Sequence, residues 1–175
     1  MVEPQKDVFD ELVRSTRESG IAFEQLAITD QECEMTLYKI SFSNASWATT
    51  LASFEKRVIE KSINDGWVAA CAAKEGIDLP AQTKDYCISE TIQCTTLKKL
   101  LNKHHISALD LLLVDTEGHD FVVVKQIGDL EFRPRIVVFE HKLLSRSDFK
   151  ACIDRLRALG YQLHADTANT IGVRG

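Results

Sequence analysis

The chain has 175 residues, 45% of them hydrophobic and 27% charged, with a formal net charge of -5. That length suits one globular domain with a sizeable core, and the acidic balance argues against a nucleic-acid-binding face, which needs clustered Lys and Arg. No apolar run is long enough to cross a bilayer, and the opening MVEPQKDVFDELVRS has the pattern of neither a signal peptide nor a transit peptide. Five cysteines without CxxC spacing fit reduced thiols in a cytoplasmic setting, used as small apolar filler.

In chain order, Val2-Glu3-Pro4 reads as the tail of a strand with Glu3 at its tip. Val8, Phe9, Leu12 and Val13 then share one helical face, with Ser19-Gly20 as the stop. Ile21 to Ile28 predicts the next strand, closed by the polar turn Thr29-Asp30-Gln31, and Met35 to Ile40 predicts another. Asn44 to Tyr86 breaks this rhythm. Leu51, Phe54, Val58 and Ile59 recur at helical spacing, and Asp65 and Gly76 would cap a second helix at its two ends. This region is expected to be a helical insertion: a packing pair or a lid carrying substrate contacts.

Tyr86 to Cys94 alternates like a strand, and Thr95-Thr96 caps a short helix with Leu97, Leu100 and Leu101 on its apolar face. The run LDLLLV from Leu109 to Val114 predicts a strand buried on both faces. Its tip carries Asp115, Thr116, Glu117, Gly118, His119 and Asp120. Phe121, Val124 and Ile127 fit a helical face, although Val122-Val123-Val124 is a poor helix former. RIVVFE predicts a second buried strand ending on Glu140-His141, and a helix follows from Ser147-Asp148 to Gly160. Tyr161 to His164 and Thr170 to Val173 predict two closing strands joined by an Asp/Asn turn.

Alternating strands and helices imply an α/β fold with a mostly parallel sheet flanked by helices, in a single domain over 1–175 with an insertion at about 44–86. Right-handed crossovers would gather the carboxyl ends of the parallel strands on one edge, where ligands bind. Glu3, Asp30, Asp115, Glu117 and Glu140 would then line one acidic rim. Candidate catalytic groups are Asp115, Glu117, His119, Glu140 and His141. Structural alternatives remain: Asp115 as cap of the following helix, and Glu117-Gly118 as the shape of a turn. Asp115, Glu117, His119 and Asp120 also make an oxygen-rich set with one imidazole, of the kind that suits Mg or Mn, so a metal-dependent hydrolase is a further alternative.

LDLLLVDTEGHDFVVVKQI, with RPRIVVFEH and LRALGYQL after it, resembles the FkbM family of methyltransferases. VEPQKDVFDEL resembles that family's second strand and helix, LAITD its third strand, and CTTLKKLL its T-L-D segment. The departures are Asp120 for a Glu, Lys98 for an Asp, and VKQIG where L-K-G is usual. No GxG turn is present, and the likeness starts at the family's second strand. The resemblance implies a Rossmann-like methyltransferase domain that is N-terminally truncated. It also implies S-adenosylmethionine as cofactor and a small-molecule or glycan hydroxyl as acceptor, with no nucleic acid or membrane partner. Glu3 would accept hydrogen bonds from the ribose, with Ile28 and Asp30 bordering the adenine. The missing glycine turn leaves a second possibility, a non-catalytic remnant of such an enzyme that exposes a sheet edge and tends to associate.

Overall fold

A computed structural model describes residues 1–175. The chain resolves into two compact units, Met1–Ala27 with Cys33–Gln93, and Ile28–Glu32 with Cys94–Gly175. Strand β1 is Ala27–Ile28, β2 is Cys33–Ile40 and β3 is Cys87–Thr95, and they form one sheet in the order β1-β3-β2. A second sheet has the order β4-β5-β7-β6, from Leu111–Val114, Ile136–Glu140, Gln162–Ala165 (β6) and Asn169–Val173 (β7). No helix is long and apolar enough to cross a membrane, and all five cysteines are free.

In the first unit, helix α1 spans Lys6–Ser15 and sets Phe9 edge-on against Phe23, ring centroids 6.3 Å apart. The expected strand over Ile21–Ile28 shortens to β1. Ahead of it Glu24 makes only an isolated parallel bridge to Val2, so Glu3 follows a bridge instead of ending a strand. Gln93 Nε2 donates to Glu34 Oε1 at 2.5 Å, while the Ser41 amide donates to the Tyr86 carbonyl at 3.0 Å. Strands β2 and β3 therefore run in opposite directions. Lys39, buried on β2, joins Glu90 of β3 at 2.5 Å and Asp7 of α1 at 3.1 Å.

Residues 44–86 supply α2 (Ser46–Thr49), α3 (Lys56–Asn64) and α4 (Trp67–Glu75). Ala48, Ile59 and Val68 pack with Ile40 of β2 in one apolar cluster, so within its own unit this segment includes a packing helix pair. The N-cap of α4 is Gly66, not Asp65, which caps the carboxyl end of α3. The chain reverses between the two helices within two residues and needs a left-handed backbone there. Gly66 takes φ +76° without the Cβ penalty that Asp65 would meet.

The second unit holds the four-stranded sheet, and its pairings are mixed where a mostly parallel sheet was expected. Strands β4 and β5 are parallel, in register from Leu111↔Ile136 to Val114↔Phe139. Strand β7 runs antiparallel to β5 and to β6. The physical cause is the turn after β6. The Asp166 carboxylate accepts from the amides of Ala168 and Asn169 at 2.7 and 2.6 Å, closing an Asx-type turn that returns the chain as a hairpin.

One face of this sheet carries Leu112, Val114, Val137 and Phe139. They pack against Val123, Val124 and Ile127 from the segment 120–129 and against Cys152 and Leu156 of α7 (Arg146–Ala158). The other face is open. Leu111 is 48% exposed and Leu113 65%, with Ile136, Ile171 and Val173 exposed on the adjacent strands. The LDLLLV run is thus buried on one side only, which corrects the two-sided expectation. An apolar run has no period, so it cannot report which face is covered.

Helix α5 (Leu97–Lys103) starts at Thr96, whose side chain accepts from the Lys99 amide. Helix α6 (Asp120–Val124) is short and tightens into a 3-10 turn over Lys125–Asp129, as its three consecutive valines would favour. From that turn the buried Gln126 reaches three segments. Its Nε2 donates to the Thr29 and Val122 carbonyls, both at 2.9 Å, and its Oε1 accepts from the Leu97 amide at 2.8 Å. Ser145 caps α7 by accepting from the Asp148 amide, so that helix begins slightly earlier than Ser147.

This packing predicts unequal costs for two sheet residues. Phe139→Ala, at a site with no exposure, should cost about 3–5 kcal/mol. Leu113→Ser should change stability by roughly 0.5 kcal/mol or less. Denaturant melts of the two variants compare them directly.

Candidate functional site

Because β4 and β5 are parallel and stay paired up to Val114↔Phe139, their carboxyl tips lie side by side. Asp115 continues from β4, and Glu140-His141 closes β5. Between β4 and α6 the chain makes a tight turn. Glu117 sits at φ +51° and Gly118 at φ +100°, and the His119 amide donates to the Thr116 carbonyl at 3.2 Å. A left-handed glutamate is unusual and is held only where its surroundings determine it. Gly118 is required here, since its backbone lies where L side chains are strained.

Asp120 has no solvent exposure. Its Oδ2 accepts from the Thr116 hydroxyl at 2.9 Å and its Oδ1 from the Glu140 amide at 3.2 Å. The two strand tips are joined through this one carboxylate. Asp115 does not cap α6; the N-cap position is His119, which makes no side-chain cap bond.

The cluster is acidic and partly buried: Asp115 is exposed, Glu117 and Glu140 are half-buried, and Asp120 is buried. Burial first, then the nearby charges of Glu140, Asp115 and Asp120, push the Glu117 carboxyl up to about 7, against a smaller opposing pull from Lys142. Burial and the same acidic neighbours Asp115 and Asp120 raise Glu140. Burial raises Asp120 as well, while its hydrogen bonds from Thr116 pull the other way. One carboxylate oxygen, Glu140 Oε2, is buried without a donor.

The other expected site residues divide between the two units. His141 is tied down: its Nδ1 lies 3.0 Å from the Thr170 hydroxyl, and its ring stacks on Phe149 at 4.5 Å. Asp30 pairs with Lys125 at 3.0 Å, and that contact, with a smaller influence from His119, lowers its carboxyl. Ile28 packs half-buried against the apolar clusters of the second unit. Glu3 belongs to the first unit, where its Oε1 accepts from the Gln5 amide at 2.7 Å and burial raises its carboxyl. The structure thus brings Asp115, Glu117, Glu140 and His141 to one pair of strand ends and sets Asp30 beside Lys125. No three His, Cys, Asp or Glu side chains are grouped to hold a metal ion.

A family model described as the Methyltransferase FkbM domain matches residues 1–163. The chain belongs to the FkbM methyltransferase family. Searches of curated proteins and of solved structures found no match. In this FkbM-family chain the residue that sequence reasoning undervalued is Asp120. It stood out as a Glu-to-Asp departure and as one of an oxygen-rich set, and nothing local signals that its carboxylate meets the end of another strand. Gln126 went unremarked for the same reason.

The electrostatics predict a pH dependence of stability. Glu117 has a folded pKa near 7, above its ordinary value of 4.5. Its contribution is therefore fully present below about 4.5 and is lost as pH rises through about 7. Glu117→Gln should raise stability at pH 8 by about 1–2 kcal/mol, a figure discounted for its partial solvent access. At pH 4 it should change little. Thermal melts of both proteins across that range measure the difference.

Proposed function

We propose that this chain is an S-adenosylmethionine-dependent methyltransferase that acts on a hydroxyl of a sugar or secondary metabolite. The observation that carries the reading is the partly buried acidic tip formed by Asp115, Glu117 and Glu140 at the paired ends of β4 and β5, in a chain of this family. The side chains present fit a cationic group. Glu140 Oε2 is buried with no donor, and three like charges crowd Glu117, so a positive charge would relieve both.

When bound, S-adenosylmethionine supplies a methyl group already activated by its positive sulfur. The protein's task is then alignment and proton removal. With a carboxyl near 7, Glu117 is suited to take the acceptor hydroxyl's proton on its carboxylate at neutral pH. Asp115 and Glu140 hold the site anionic. His141 is oriented by Thr170 and Phe149 and serves as second candidate for the proton. Ile28 and Asp30 keep their proposed place beside the adenine.

A cation favours the ionised form of a neighbouring carboxyl. Binding at pH 7 should therefore release a fraction of a proton from Glu117. Calorimetry of S-adenosylmethionine in buffers of different ionisation enthalpy reads that release, which Glu117→Gln should abolish. Glu140→Gln should weaken S-adenosylmethionine about tenfold and leave S-adenosylhomocysteine, which lacks the sulfonium charge, nearly unchanged. Absence of any binding would overturn the reading.

The open apolar face around Leu111 and Leu113 favours a second reading, a non-catalytic relative that self-associates. A monomer that transfers methyl groups would contradict it.

A further inference from the structure

We propose that Asp120 is the positioning residue of this site: it locks the 115–119 turn to the end of β5, and so fixes where Glu117 and Glu140 stand. The proposal rests on the methyl-transfer reading only for its chemical consequence, and its geometry stands independently.

Three observations carry it. The β4–β5 ladder stops at Val114↔Phe139, one residue short of Glu140. At that end the Glu140 amide donates to Asp120 Oδ1 at 3.2 Å, which ties the 115–119 turn to the tip of β5. Next, Asp120 uses its second oxygen to accept from Thr116 at 2.9 Å. That bond closes the turn that keeps Glu117 left-handed at φ +51°. Finally, Asp120 has no solvent exposure, so both bonds form away from competing water. Asp120 itself stays off the substrate, because both of its oxygens are engaged within the protein.

The test uses the full chain and three variants, Asp120→Ala, Asp120→Asn and Thr116→Val. A role in stability alone would lower melting temperature and weaken all ligands together. A positioning role changes how well the site tells a charged sulfonium from its neutral counterpart. We expect Asp120→Ala to lower the affinity ratio of S-adenosylmethionine to S-adenosylhomocysteine about tenfold, and Thr116→Val to lower it about threefold. The two changes combined should do no more than Asp120→Ala alone, since they break one network. Asp120→Asn keeps one acceptor oxygen and should fall between wild type and Asp120→Ala. A lowered melting point with the ratio intact would overturn the proposal.

A second measurement needs no ligand. By NMR, Thr116→Val removes no charge and yet should move the Glu117 carboxyl midpoint. Asp120→Ala should speed hydrogen exchange at the Glu140 amide at least about tenfold. If neither moves, the positioning role is wrong. If both move while wild type binds neither ligand, the functional reading fails and the positioning role survives. Should Asp120→Ala not fold, Thr116→Val and Asp120→Asn carry both measurements.

Discussion

A buried carboxylate joining two strand ends is the constraint on which the site depends. Asp120 accepts from Thr116 on one side and from the Glu140 amide on the other. The partners belong to a turn with two consecutive left-handed residues and to a strand end that extends one residue past its pairing with β4. Burying an ionisable group is expensive, and Asp120 offsets that cost by filling both oxygens. The result is a turn and a strand end tied together through one side chain.

Like charges gather around that tie. Asp115 and Glu140 stand close to the half-buried Glu117, and Glu117 is the group that yields, its carboxyl rising to about 7. Free to move, the Glu117 side chain would reach into water and titrate normally. Functional sites are where such electrostatic pressure is commonly kept. Stability is given up for it, as the sign of the Glu117 shift requires.

The sheet beneath the site is packed on one face only. Phe139, Val137 and Val114 close against Val124, Ile127 and Leu156, while Leu111 and Leu113 face outward. Gln126 does for the Thr29 segment what Asp120 does for β5, satisfying two carbonyls and one amide from a single buried side chain. Two buried polar residues six positions apart thus anchor the surroundings of Asp30 and of Glu140 respectively: Gln126 through Thr29, and Asp120 through the Glu140 amide.

The sequence by itself was enough for the element order. Alternating patterns located α1, β2, β3, α5, β4, β5 and α7 within a few residues, because local propensity and periodicity act over short stretches. It also marked DTEGHD and the FEH tip as the place for chemistry, since polar groups at the end of an apolar strand have few structural uses. Burial was not legible. LDLLLV looks the same whether one face or two are covered, and only the tertiary packing left Leu113 in water. Nor was the mixed sheet, since strand direction depends on how the β6–β7 turn closes and not on strand composition. The pKa of Glu117 and the role of Asp120 also belong to the tertiary structure alone. Both arise from contacts between residues about twenty positions apart, and such contacts leave no trace in the order of neighbouring side chains.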